Sequence, residues 1–258
     1  MTQLSIPQAY EMAARYQSQG QFPQSEAICN QILAREPDHA GALHLLGFMA
    51  YQAGRIPIAE HLVRQALKHS TGQAEIHCTM GLVLQAQNKI DEAIEQYRRA
   101  VELRPTYQEA INNLGTIYYA EKRYSKATST YKRALKLAPG SASIYSNLGT
   151  AYFAEKKYKE AWEAYNTAFQ LDPEVFEHRN TYGVLLQERT VEERARFHYY
   201  LAKIYAKKGQ NDRALQYIRK ALEEGFTDRK KLLQDPEFAA LRDLPEFKEL
   251  LKLEPRVL

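Results

Sequence analysis

The chain has 258 residues, 45% hydrophobic and 26% charged, enough for one large domain or two ordinary ones and too much for a mini-protein. Its 12 glycines and 10 prolines do not make a fibrous composition, and 18 tyrosines with 9 phenylalanines argue against wholesale disorder. A formal charge of +4 is too small and too evenly spread to point to nucleic acid or a membrane surface, although residues 1–88 are charge-poor and hold five of the seven histidines.

Two cysteines, Cys29 and Cys78, make neither a disulfide framework nor the close spacing of a metal site, so no metal and no cofactor is expected. A reducing compartment fits them. The sequence has no apolar run of about 18 residues, and Met1 to Pro7 lacks a basic stretch followed by an apolar one. The reading is therefore a cytoplasmic protein.

From residue 40 onward the chain repeats with a period of 34. Gly47, Gly81, Gly115, Gly149 and Gly183 form one ladder, and Ala59, Ala93, Ala127, Ala161 and Ala195 a second. Ala66, Ala100, Ala134, Ala168 and Ala202 form a third, and Tyr97, Tyr131, Tyr165 and Tyr199 a fourth. Units close at Pro105, Pro139 and Pro173, where a helix cannot continue. Units at 40–73, 74–107, 108–141 and 142–175 share one register, and 6–39 fits it more loosely, with Ile32 in an alanine position.

Within 108–141, Ile111, Leu114, Gly115 and Tyr118 fall on one helix face, and Ala127, Tyr131, Ala134 and Leu135 on one face of a second. Between them runs a polar turn in which Ser125 is positioned to cap the second helix. The unit is a helix hairpin, and Gly115 and Ala127 are small so that the two helices approach. The register holds over about 40–207 and then breaks at Gly209, Ala214 and Ala221: Val191 to Lys207 fits either as second helix of one repeat or as first helix of the next, and one helix is expected to be missing. Asp235-Pro236 and Asp243-Leu244-Pro245 read as acidic, proline-containing starts of short capping helices. The chain thus divides into a solenoid over 1–225, irregular over 176–225, and a cap over 226–258 that covers the last apolar face.

The motifs Asn113-Leu114-Gly115-Thr116-Ile117-Tyr118 and Asn147-Leu148-Gly149-Thr150-Ala151-Tyr152, with their alanines, tyrosines and prolines, resemble the tetratricopeptide repeat. The resemblance implies an all-α, right-handed superhelical solenoid of six to seven antiparallel hairpins, with first helices lining a concave groove. On that face stand Asn112, Asn113, Thr116 and Tyr119, then Ser146, Asn147, Thr150 and Phe153, with Asn180 one repeat on. An amide both donates and accepts, so Asn113 and Asn147 can hold a peptide backbone. The pair resembles the start of the asparagine ladder of O-linked N-acetylglucosamine transferases, with Leu45, Thr79 and Thr181 at the matching positions elsewhere.

The reading is a non-enzymatic scaffold that binds a peptide or partner protein, with no nucleic acid or membrane partner and self-association left open. Two alternatives are a substrate-recruiting arm of an enzyme and a structural or engineered solenoid, the latter suggested by the change in charge density near 89–105. The dicarboxylate clamp of chaperone-binding repeats needs cations where this chain has Cys78, Leu82, Asn113, Ser143 and Asn147, which argues against chaperone C-terminal tails. His44 and Cys78 occupy equivalent positions on adjacent rungs, about 8–10 Å apart and too distant for a nucleophile pair. Trp162, Tyr165 and Phe169 read as packing residues, and Lys156-Lys157 and Arg229-Lys230-Lys231 as solvated turns.

Overall fold

A computed structural model describes residues 4–176 and 190–253, and among these every regular element is helical. Contacts divide the chain into two compact units, Met1–Ala138 and Pro139–Leu258. The change in charge density near 89–105 falls inside the first unit.

The first unit holds α1 (Ile6–Ser18), α2 (Phe22–Arg35), α3 (Ala40–Gln52), α4 (Ile56–His69), α5 (Ala74–Ala86), α6 (Ile90–Leu103), α7 (Gln108–Ala120) and α8 (Tyr124–Leu137). They pair as hairpins α1–α2, α3–α4, α5–α6 and α7–α8, and α2, α4 and α6 also pack on α3, α5 and α7 respectively. Sequence dictates where they stop: Glu36, Arg104 and Ala138 each precede a proline, which disfavours helical backbone there, and each lies at φ between −131° and −135°.

The hairpins close because the glycine ladder is the contact surface. A Cβ added at Gly81 or Gly115 would lie 2.6 Å from the ring of Tyr97 or Tyr131, and at Gly47 2.7 Å from Val63. The alanines at 59, 66, 93, 100, 127 and 134 are fully buried. Ser125 does not cap α8. That helix begins two residues earlier than such a cap would set, at Tyr124, with Arg123 at its N-cap and no side-chain cap. The turn is tightened instead by Lys122 at φ +57°, and the same place in the other hairpins holds Gly20, Gly54, Asn88 and Lys156, all at positive φ. Tyr118 faces the preceding repeat, where its hydroxyl accepts from both Nε and Nη2 of Arg98.

The second unit holds α9 (Ala142–Ala154), α10 (Tyr158–Leu171), α11 (Val191–Lys207), α12 (Asn211–Glu223), α13 (Arg229–Gln234), a 3-10 turn (Pro236–Leu241) and α14 (Pro245–Leu250). α9 pairs with α10, where Gly149 meets Tyr165 as its counterparts do, and α11 pairs with α12. Val191–Lys207 therefore acts as a first helix, fixed by a tight turn with Gly209 at φ +71°. Gly183, Asn180 and Thr181 lie outside the described residues.

The C-terminal segment differs from expectation in its caps. Asp235 makes no side-chain cap, Leu244 rather than Asp243 is the N-cap of α14, and an additional helix, α13, is capped by Asp228. Asp235 is drawn elsewhere: it accepts from the Tyr199 hydroxyl and pairs with Lys203 at 2.9 Å. Arg229 is no solvated turn residue, since its guanidinium donates to the carbonyls of Leu251 and Leu253. Leu232, Phe238, Leu241 and Phe247 are fully buried in one core with Phe197, Tyr199 and Tyr205. Trp162 packs under the ammonium groups of Lys203 and Lys207, while Tyr165 and Phe169 are buried.

Candidate functional site

In the first unit α1, α3, α5 and the start of α7 line a depression of about 860 Å³, within the size range of ligand sites. Its His44, Leu45 and Phe48 stand two periods before Asn112, Asn113 and Thr116, and its Thr79 one period before Asn113. The depression thus lies on the helix face expected to bind, displaced toward the N-terminus. Tyr10, Phe22, Leu45 and Phe48 supply its apolar wall.

His44 Nε2 and Thr79 Oγ1 are 2.8 Å apart, and Asn113 Nδ2 reaches Cys78 Sγ at 3.7 Å. Each bond joins a residue to one 35 positions on, one step past the equivalent place on the next rung. His44 and Cys78 therefore take separate partners. Burial pushes the His44 imidazole down to about 4, outweighing the pull of Glu75, and pushes the Cys78 thiol up to about 11. At neutral pH this leaves an uncharged imidazole and a protonated thiol, neither of which is an activated nucleophile.

Three charged side chains line the depression: Glu75, Arg104 and Glu109. Arg104 pairs with Glu75 and holds its guanidinium 5.0 Å from the Tyr107 ring centre. The Tyr107 hydroxyl donates to Glu109 at 3.2 Å. Burial alone raises the Glu75 carboxyl, but its own backbone and Arg104 together hold it below the usual carboxylate range. Sequence reasoning sought cations on the first helices and so missed Arg104, which occupies the extended residue after α6. The signal was present: positions 36, 70, 104, 138 and 172 recur at the repeat period, and Arg104 is the cation among them.

The expected groove residues separate into two groups. Asn112, Asn113 and Thr116 are half-buried, whereas Tyr119 is buried with its ring 5.4 Å from that of Tyr124. In the second unit Ser146, Asn147, Thr150 and Phe153 are all buried, at 0%, 8%, 1% and 3% exposure. These five do not offer open groove surface, and Asn180 lies outside the described residues. A hydroxyl contact accounts for part of this: Thr150 and Tyr165 share a bond of 3.1 Å, whereas Thr116, which accepts from Tyr131 at 3.2 Å, stays half-buried. Phe153 is covered by Tyr158, Phe197 and Tyr200.

The fold and the face define a repeat protein built of stacked helix hairpins. The tetratricopeptide repeat family matches residues 10–74, 78–142 and 179–228, and a second description of the same repeat matches 142–175. The chain belongs to the tetratricopeptide repeat family.

Against the curated proteins the chain has no match. Among solved structures it is similar to pilF of Pseudomonas aeruginosa, at 17% identity and TM-score 0.64, over 92% of this chain and 96% of that one. It is also similar to MamA, at 21% identity and TM-score 0.55, over 64% and 97% of the two chains. A third, YrrB, a tetratricopeptide repeat protein with an unusual peptide-binding site, matches at 20% identity and TM-score 0.53 over 70% and 91%. At these identities the likeness is one of fold.

Among the described residues no helix is long and apolar enough to cross a membrane, and no group of three or more metal-ligating side chains converges.

Proposed function

We propose that this chain is a non-catalytic interaction module that holds an extended segment of a peptide or partner protein. The observation that carries the reading is the preformed depression on α1, α3, α5 and α7, with apolar and polar groups side by side. The peptide-binding site of YrrB, a protein of similar fold, supports it. Asn112, Asn113 and Thr116 extend the same helix face beyond the depression, and chaperone C-terminal tails stay outside the reading because Arg104 is already paired with Glu75. A reducing, cytoplasmic setting belongs to the same proposal.

The test is affinity capture from a cell extract with mass spectrometry. It uses wild type and a variant in which exposed Gln52 and Gln73, which line the depression, are both replaced by Trp. A Trp at exposed Lys68 on α4 is the control. Proteins retained by wild type and Lys68→Trp but lost from Gln52→Trp/Gln73→Trp, with unchanged helical circular dichroism, support the reading. Equal retention by all three refutes it.

A further inference from the structure

The depression has a chemistry of its own, and the inference drawn from it rests on the peptide-binding reading above. Its charged groups sum to one excess negative charge, because Arg104 is committed to Glu75 and to the Tyr107 ring while Glu109 adds a second carboxylate. His44 adds no positive charge near neutral pH. The Glu109 side chain is solvent-exposed and accepts a hydrogen bond from the Tyr107 hydroxyl, which leaves a carboxylate lone pairs for further donors.

The opposite wall is apolar. Phe22 opens α2, the place Tyr124 and Tyr158 hold in α8 and α10, and is 38% exposed, with Phe48, Leu45 and Tyr10 continuing the wall behind it. Aromatic side chains set beside a polar rim are the composition of binding hot spots. Adjacent packed helices lie about 8–10 Å apart, so a ligand running from α3 toward α7 covers a length that only several extended residues, at about 3.3 Å each, would fill.

We infer that the depression selects a peptide segment carrying a large apolar side chain and, a few residues away, a lysine or arginine. The apolar side chain packs on Phe22 and Phe48, and the cation pairs with Glu109. Carboxylate-bearing segments are disfavoured, because the one cation in the depression can meet them only by leaving Glu75.

The experiment selects a random dodecapeptide library displayed on phage against the intact chain, then measures synthetic copies of the enriched peptides by fluorescence polarisation. The expected result is enrichment of peptides with an aromatic or branched apolar residue about five or six positions from Lys or Arg, the two-rung span from α3 to α7 at about 3.3 Å per residue. In the representative peptide, Lys→Glu should weaken binding tenfold or more. In the protein, Phe22→Ser should weaken it about tenfold and Glu109→Gln two- to fivefold, the range of an exposed ion pair, with no effect of Glu109→Gln on a peptide whose Lys is already Gln.

Enrichment of acidic peptides whose binding Gln52→Trp/Gln73→Trp abolishes would overturn the charge preference while leaving the groove reading intact. Basic peptides indifferent to both Phe22→Ser and Glu109→Gln would overturn it as well. No enrichment of any peptide would remove this inference and the peptide-binding reading together.

Discussion

Replacing Gly115 by alanine tests whether ring-against-glycine contact holds each hairpin closed. The added Cβ would stand 2.6 Å and 2.8 Å from Cε1 and Cδ1 of Tyr131, where ordinary contact begins at 3.4 Å, so the ring must retreat by about 0.8 Å. The atoms in question belong to a rigid ring that is 1% exposed, and its hydroxyl is tied to Thr116. Overpacking of this kind costs about 1–3 kcal/mol, and the strained hydrogen bond about 1 more. Alanine returns about 1 kcal/mol through its helix propensity. The net expectation is a loss of about 1–3 kcal/mol, read as a fall of roughly 3–10 °C in Tm by circular dichroism at 222 nm. Gly72→Ala is the control, because nothing lies within 4 Å of its Cβ, and it should shift Tm little. Adding Tyr131→Leu to Gly115→Ala should cost less than the two changes separately. Gly115→Leu should be worse still, and worse than Asn113→Ala, which loses only a long bond to sulfur. A Gly115→Ala protein as stable as wild type would refute the close-contact account.

Three further outcomes follow from the same geometry. His44 titrates near 4 in the folded chain against about 6.5 unfolded, so below pH 6.5 the unfolded state binds the extra proton and stability falls as pH drops toward 4. By pH 5 this removes about 2 kcal/mol, and urea midpoints at pH 7.5 and 5.0 should differ less in His44→Gln than in wild type. Burial raises both cysteine thiols to about 11, so Cys29 and Cys78 should react with a disulfide reagent at pH 8 only at the rate of unfolding; fast reaction without denaturant would contradict their placement. Lys122 holds φ +57° at some cost that glycine does not incur, so Lys122→Gly should stabilise by about 0.5–1 kcal/mol and Gly54→Ala destabilise by about 1, both by urea titration.

The hairpins were legible because a repeat forces the same contact several times over, and a residue that must be small shows as a ladder. Gly47, Gly81, Gly115 and Gly149 each meet the residue 16 positions on, a contact that the spacing alone implies. The positive-φ position was not legible, since Gly20 and Gly54 announce it but Asn88, Lys122 and Lys156 look like ordinary polar turn residues. Val191–Lys207 was ambiguous because Ala195, Tyr199 and Ala202 keep the second-helix ladder while Gly209 imposes a first-helix turn. The turn decided the pairing, and Tyr199 was reused: its ring stacks on Phe226 at 4.5 Å and its hydroxyl meets Asp235. Asp235 was thereby diverted from the capping role its place beside Pro236 suggested.

The candidate site was legible as a face but not as a location. Tyr131 and Tyr165 reach across their hairpins to the hydroxyls of Thr116 and Thr150, which gives each of those side chains a partner within its own hairpin. One repeat earlier Leu82 stands where Thr116 does and has no hydroxyl to offer, and Tyr97 donates instead to Gln85 at 2.9 Å. In the hairpin before that, the ladder position holds Val63, which fills the space over Gly47 and is too short to cross. Phe48, at the place of Thr116, has no hydroxyl to offer; its ring lies 6.5 Å from that of Tyr51 and lines the depression. The asparagines drew the eye to the regular repeats, where Ser146, Asn147 and Thr150 are buried, and away from the earlier rungs, where the depression lies.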